Sequence, residues 1–423
     1  VSAPAAGAAR PDAAAGAGPA ADARAGELWA FDDATCRELA QRHGTPCFAY
    51  RAATARAGWE RLRAALAAAS PRAPGRVRIA YAVKANPHPE LLALLAGLGA
   101  DFDCASAGEL RGADAARRGR DGRLFFAGPA KRDAELALAV ALGARVQAEG
   151  WEDLARLDAL GAARGEVLAC NLRVHPAAPV EEERAIIGGS GPSAFGVDEE
   201  QAPELLVRAR RLAHVRVAGL HVFAASNQRD ADKLLAIHAM VLLLARRLRD
   251  EHGVRLEQID LGGGLGMAYA ASETPLDVER WAAGLGALLA EHAWFEGEVL
   301  LEPGRFLAAA CGVYLTRVVR TKLSRGTRFA LLEGGLNHLL RPLLTGQPFP
   351  VRRVADGAPS GPLAATTLAG PLCTSLDRLG EVPLPADLAP GDLLAFGMAG
   401  AYGFTEAMPL FLGHPPPAEI WVA

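Results

Sequence analysis

The chain has 423 residues, 51% hydrophobic and 22% charged, and 45 basic against 48 acidic side chains leave a formal net charge of -3. That length exceeds what one hydrophobic core usually serves and predicts two domains; the mixed charge leaves no basic footprint for nucleic acid, and no apolar run is long enough for a membrane span. The six cysteines (Cys36, Cys47, Cys104, Cys170, Cys311 and Cys373) lie far apart without a C-x-x-C pair, which argues against a metal site and a disulfide framework and fits a reducing cytoplasm.

Residues 1–26, almost wholly Ala, Gly, Pro, Arg and Asp, read as a disordered tail, because such a composition cannot bury a core. From Val77 to about Phe306, eight strand-type runs alternate with helical patterns: "RIAYAVKA", "DFDCAS", "LFFAG", "RVQAE", "VLACNLRV", "VAGLHVFA", "QIDLGGG" and "EVLLEPG". Between them lie stretches such as Asp230 to Asp250, where apolar residues recur at helical spacing. Eight βα units in succession predict a (β/α)8 TIM-type barrel, with a doubly wound sheet as the alternative. After Gly312 the runs "VYLTRVVRTKL", "RFALLEGG", "LAATTLAGPLC", "DLLAFGMAGAY" and "AEIWVA" are separated by Gly and Pro with no long amphipathic helix. They predict a second, mainly β domain.

Four motifs fall at the carboxyl ends of predicted barrel strands, where this architecture places chemistry. In "YAVKAN" the ammonium of Lys84 interrupts an apolar run. Desolvation is expected to lower its pKa and make it an amine nucleophile, a Schiff base being the obvious use; a lysine snorkelling to the barrel rim is the ordinary alternative. "DLGGGLG", Asp260 to Gly266, offers bare backbone amides that can wrap an anion, although glycine runs more often serve tight turns. "EPGR" supplies the Glu302 carboxylate and the Arg305 guanidinium, the former suited to keep a pyridinium nitrogen protonated. "GLHVFAASNQ" supplies His221 to stack on a flat ring and Ser226 to bond a phosphate oxygen. One amine, one anion cradle, one ring stacker and one ring-nitrogen partner together describe a pyridoxal phosphate site.

With "YAVKAN", "DFDCAS", "HVFAAS", "GGGLG", "EPGR", "CTSLDRLG" and "GAYGF" in that order, the chain resembles the fold-type III pyridoxal phosphate decarboxylases, the ornithine/diaminopimelate decarboxylase group that shares its barrel with alanine racemase. The resemblance implies a tail at 1–26, an N-terminal segment at 27–50 that completes the β domain, a cofactor-binding barrel at 51–308 and a C-terminal β domain at 309–423. It implies that Lys84 carries pyridoxal 5'-phosphate, that His221 stacks on its ring, that Glu302 pairs with its nitrogen, and that Ser226, Gly263, Gly264, Arg305 and Tyr402 hold its phosphate. Catalysis then falls to Lys84, His221, Glu302 and Cys373, the last as proton donor to Cα, while Arg305, Cys373, Thr374 and Asp377 meet the substrate.

Because Cys373 and Asp377 would reach the partner's site, a homodimer with shared active sites is implied. "GGSGPSAFGVDEE", "EGGLNH" and "FLGHPPPAEIWV" are similar to decarboxylases of specialised metabolism, including those that act on an aminoacyl group held by a carrier protein. Ala225 stands where many relatives have glycine and should tighten the phosphate loop; Ala194 and Glu333 are further departures from the family's lysine and aspartate. Thr374 follows the cysteine where relatives that decarboxylate diamino acids carry an acidic residue, which points to a substrate with a neutral, acidic or tethered far end. A decarboxylase of free diaminopimelate or ornithine, an amino-acid racemase and a non-catalytic regulatory homologue are the alternatives.

Overall fold

The computed structural model describes residues 26–69, 76–177, 191–355 and 361–423, so the tail expected at 1–26 lies, except for its last residue, outside the described residues. After an N-terminal strand β1 (Cys47–Arg51), the eight expected barrel runs form β2 (Val77–Ala82), β3 (Asp101–Cys104), β4 (Leu124–Phe126), β5 (Arg145–Ala148), β6 (Leu168–His175), β8 (Val215–His221), β9 (Gln258–Asp260) and β10 (Glu298–Leu301). The two-residue β7 (Val197–Asp198) is appended to β6. All are parallel neighbours in the order β5-β4-β3-β2-β10-β9-β8-β6, and pairing of β5 with β6 closes the barrel. The doubly wound alternative is thereby excluded. Helices cover the outside while side chains fill the inside, so β3, β4 and β9 are buried along their whole length.

Helix ends follow local chemistry. Asp230 caps the longest helix, Ala231–His252, by accepting from the amides of Asp232 and Lys233, and Gly253 ends it in the left-handed region at φ 61°. The helical ring differs from the expected βα order at one place. Among the described residues no long helix stands between β10 and the second sheet, where Arg305–Ala308 makes one short turn; the eighth helix of the ring, Ala52–Ala69, precedes the first barrel strand and packs between Pro89–Gly97 and Val278–Glu291. Gly286 permits that approach, because a Cβ there would overlap the Ala69 carbonyl.

The chain leaves the barrel into a second sheet made of β11 (Gly312–Ser324), β12 (Thr327–Leu332), β13 (Val351–Arg353), β14 (Leu363–Ala369), β15 (Arg378–Pro385), β16 (Leu393–Phe396) and β17 (Ala418–Val422). Its order is β13-β16-β11-β12-β14-β15, and β1 joins it between β11, antiparallel with Phe48 opposite Tyr314, and β17, parallel with Tyr50 opposite Trp421. The sequence pattern misses β13 and β15. The latter holds Pro383 and Pro385, which weaken a strand reading, but it lies at the sheet edge, where a missing amide donor is tolerated. Among the described residues no helix is long and apolar enough to cross a membrane.

Candidate active site

The inward side chains at the carboxyl ends of the barrel strands converge. Hydrogen-bonded neighbours in a parallel sheet project alike, and the register sets Ala82 beside Asp103, Arg173 beside His221, and His221 beside Asp260. Lys84 follows β2 in a single 3-10 turn, Val83–Ala85, and its Nζ donates to Asp103 Oδ2 at 3.0 Å while lying 5.5 Å from the Phe223 ring centroid. The expected fall in its pKa is overturned. Burial does push the amine down, but the Asp103 carboxylate, joined by Glu302 and Tyr402, outweighs it and holds Lys84 above its ordinary value. Asp103 is the residue that sequence reasoning missed here: its position two residues after Asp101 in "DFDCAS" puts both carboxylates on the inner face, and only Asp103 lies at the end that bears Lys84.

Glu302, His221 and Asp260 form a second buried group, each offering one ligating atom within 4.8 Å of the others, a spacing that would also suit a metal ion. His221 Nε2 lies 3.5 Å from Glu302 Oε2. Burial would raise the Glu302 carboxyl, yet His221 and Lys84 hold it down at about 2. Among the described residues both ring nitrogens of His221, Glu302 Oε1 and Asp103 Oδ1 are buried with no hydrogen-bond partner. Such orphaned groups are costly in a bare protein and are suited to a polar, flat ligand. They fit pyridoxal phosphate, whose ring nitrogen and ring substituents can meet them.

The glycine loop supplies the complementary cradle. Gly262 and Gly264 adopt φ of +69° and +103°; a Cβ on Gly263 would lie 2.6 Å from the Glu302 carbonyl, and one on Gly264 would lie 2.8 Å from the Ala225 methyl. Three rim loops therefore meet backbone to backbone, zipped by Gln228 N to Gly264 O at 2.8 Å and Gly266 N to Gln228 O at 2.9 Å. The amides of Gly263 and Gly264 make no hydrogen bond among the described residues, which leaves them for an anion. Ser226 belongs to the same zipped loop. Ala225, 3% exposed, fills the space against Gly264, as its departure from glycine suggests.

Arg305 is buried and donates to the Tyr269 hydroxyl at 2.9 Å, with its guanidinium carbon 4.7 Å from the Tyr402 ring centroid. Tyr402 reaches the barrel from the second sheet: its amide donates to Ala85 O at 2.8 Å, and Asn86 Nδ2 donates to Gly400 O at 2.9 Å. A second guanidinium, that of Arg341, also lies 4.7 Å from the Tyr402 centroid and pairs with Glu406 at 3.0 Å. The residue was missed although it stands three positions beyond "EGGLNH".

Three expected site residues are placed apart from this group. Cys373 is exposed, and with Thr374 it lies on the loop between β14 and β15. Asp377 ends that loop but is not open to a ligand. Its oxygens accept from the amides of Leu336 and Leu372, both at 2.7 Å, and a Cβ on Gly335 or Gly370 would overlap the carboxylate. In its own chain Asp377 fixes the shape of the loop that carries Cys373 and Thr374.

Residues 59–309 match the family described as pyridoxal-dependent decarboxylase, pyridoxal binding domain. The chain is 36% identical to the diaminopimelate decarboxylase of Deinococcus radiodurans over 392 residues, 91% of this chain and 92% of that one. It is 30% identical to the L-glutamyl-[BtrI acyl-carrier protein] decarboxylase of Niallia circulans over 401 residues, 92% and 91% of the two chains. The crystal structure of Helicobacter pylori diaminopimelate decarboxylase complexed with L-lysine superposes with a TM-score of 0.80 at 26% identity, covering 92% of this chain and 94% of that chain.

Proposed function

The chain belongs to the pyridoxal-dependent decarboxylases, and from that premise we propose that it removes the α-carboxylate of an amino-acid or aminoacyl substrate whose far end is neutral, acidic or tethered to a carrier. It is a pyridoxal phosphate enzyme. When bound, the cofactor supplies an electron sink for the pair released as the Cα–carboxylate bond breaks. Lys84 is the amine that holds the cofactor, with Asp103, 3.0 Å away, to hold or return its proton. Glu302 meets the ring nitrogen as a carboxylate, His221 packs against the ring, and the phosphate is held by Ser226, Gly263, Gly264, Arg305 and Tyr402. The observation that carries this reading is the meeting of Lys84 with the orphaned polar atoms of His221, Glu302 and Asp103 beside the unspent glycine amides.

Proton delivery to Cα falls to Cys373 of a second copy of the chain. Support comes from its exposure and from apolar side chains that a lone protomer leaves in water: Leu376 at 59%, Leu410 at 90% and Leu412 at 50% exposure. For the substrate, Thr374 offers no charge to a distal ammonium, and each Asp377 oxygen is already engaged by one backbone amide. A charge-assisted hydrogen bond is worth about 1.5 to 3 kcal/mol, so an unmatched ammonium should lower efficiency roughly 10- to 150-fold.

The test is carbon dioxide release from ornithine, lysine, meso-diaminopimelate and glutamyl-carrier substrates, with Thr374→Asp run alongside. Dedicated turnover of a free diamino acid by the unaltered protein would refute the substrate assignment and favour the diaminopimelate reading that the Deinococcus relative suggests. Racemisation without carbon dioxide would refute the reaction.

A further inference from the structure

One level below His221 and Asp260 the barrel carries a row of amides where apolar packing is usual. Gln147, Asn171 and Gln258 are fully buried, and the pairings Gln147 with Asn171, Asn171 with Gly219, and Gly219 with Gln258 run around the inside of the sheet. Asn171 Nδ2 donates to Gln258 Oε1 at 2.8 Å across Gly219, where a Cβ would overlap the Asn171 oxygen. Gln147 Nε2 reaches the other way and donates to Asp260 Oδ2 at 2.8 Å, while Asp260 Oδ1 accepts from the Gly262 amide at 2.9 Å. Asp260 is thus held from two sides by neutral donors, fully buried, with its carboxyl beside that of Glu302.

Two buried carboxyl groups with oxygens within 4.8 Å of each other resist double ionisation, and one proton between them relieves the repulsion. Their surroundings decide which keeps it. Glu302 faces His221 at 3.5 Å and feels the Lys84 ammonium, whereas the hydrogen-bond partners of Asp260 are an amide side chain and a backbone N–H. We propose that Asp260 carries the shared proton and donates it toward Glu302, with Gln147 as the positioning residue that sets the direction of that bond. Burial, reinforced by Glu302, raises the Asp260 carboxyl well above the usual carboxylate range, in agreement with this placement. The consequence is that Glu302 stays a carboxylate where it would meet the ring nitrogen, although it is 3% exposed. This rests on the reading that Glu302 meets the ring nitrogen.

The experiment uses the holoenzyme loaded with pyridoxal phosphate labelled with 15N in the ring, together with isotope-edited infrared spectra of protein labelled with 13C-aspartate. The infrared spectrum of the unaltered protein at pH 7 should contain a protonated carboxyl band that Asp260→Asn removes; a spectrum without that band overturns the proposal and needs no variant to fold. By nitrogen resonance, Asp260→Asn, a neutral isostere of the protonated acid, should leave the ring nitrogen protonated. Asp260→Leu and Gln147→Leu should shift its protonation equilibrium about tenfold toward the neutral ring, the size of one pKa unit. Glu302→Gln should deprotonate the ring outright. If Asp260→Asn deprotonates the ring as Glu302→Gln does, Asp260 holds the charge and the proposal fails. If Glu302→Gln leaves the ring unchanged, the underlying reading of Glu302 has failed instead.

Discussion

Replacing Asp103 with asparagine tests what sets the state of Lys84. The change keeps the shape of the side chain and removes the charge 3.0 Å from Nζ. Burial and charge act in opposite directions on this amine: desolvation alone lowers its pKa, and the carboxylates raise it past the ordinary value of 10.5. Coulomb attraction at 3.0 Å with an effective dielectric of about 20 is on the order of 5 kcal/mol before any loss to solvent. Lys84 is 29% exposed at its side chain, and Glu302 remains, so the realised change should be nearer a charge-assisted hydrogen bond, about 1.5 to 3 kcal/mol, or roughly one to two pKa units. The sign is fixed: removing a negative neighbour favours the neutral amine. In cofactor-free protein, the pH profile for reductive methylation of Lys84, followed by peptide mass, should move toward lower pH by that amount in Asp103→Asn. An unmoved midpoint, or a rise, would refute the view that Asp103 holds the proton on Lys84.

Gly264→Ala should weaken pyridoxal phosphate binding by about 10- to 100-fold in a titration of visible absorbance, since positive φ costs about 1–2 kcal/mol and the new methyl would lie 2.8 Å from Ala225; adding Ala225→Gly should recover part of the loss, because the Ala225 carbonyl is still only 3.0 Å away. Mixing Lys84→Ala with Cys373→Ala protein, each inactive, should restore carbon dioxide release at about a quarter of the sites under random exchange in a two-fold dimer, and no recovery despite demonstrated exchange would refute a shared site. His338, buried and bonded through Nδ1 to the Tyr314 hydroxyl at 2.9 Å, has its pKa lowered by burial from 6.5 to about 4. A depressed base contributes stability that is present above pH 6.5 and lost as pH falls toward 4; in thermal melts across that window His338→Gln should flatten the decline, and an unchanged slope would exclude His338 as its source.

The βα alternation was legible because barrel strands buried on both faces read as short apolar runs and their helices keep a 3.6-residue period. Lys84, Glu302, His221 and the glycines announce themselves in the same way: each is a polar or backbone-special residue at the end of an apolar strand. Asp103 and Asp260 sit in equally visible motifs, but their importance depends on which strands become neighbours around the closed barrel, and no local pattern encodes that. Asp377 shows a structural part that the motif alone does not reveal: its oxygens accept from the amides of Leu336 and Leu372, residues that only the fold brings to it. Edge strand β15 was hidden because its prolines are acceptable only once its outer side is known to be unpaired.

The placement of Tyr402 explains why the barrel alone cannot make this site. Its backbone has φ +53°, a left-handed conformation that a bulky residue keeps only when its surroundings enforce it. Those surroundings are the Ala85 carbonyl beside Lys84, the Asn86 amide on Gly400, and the guanidiniums of Arg305 and Arg341 about its ring. Arg305 comes from the barrel and Arg341 from the second sheet's side of the chain, so one strained tyrosine joins the lysine turn, the "EPGR" loop and the segment after β12. β1 is drawn into the same arrangement through its pairing with β11 and β17, and Tyr50 on it bonds Glu419 at 2.7 Å. Just beyond the turn that carries Lys84, the His88 ring centroid lies 5.2 Å from that of Tyr50 and 5.7 Å from that of Trp421, so the N-terminal strand and β17 both pack against the segment that follows the amine.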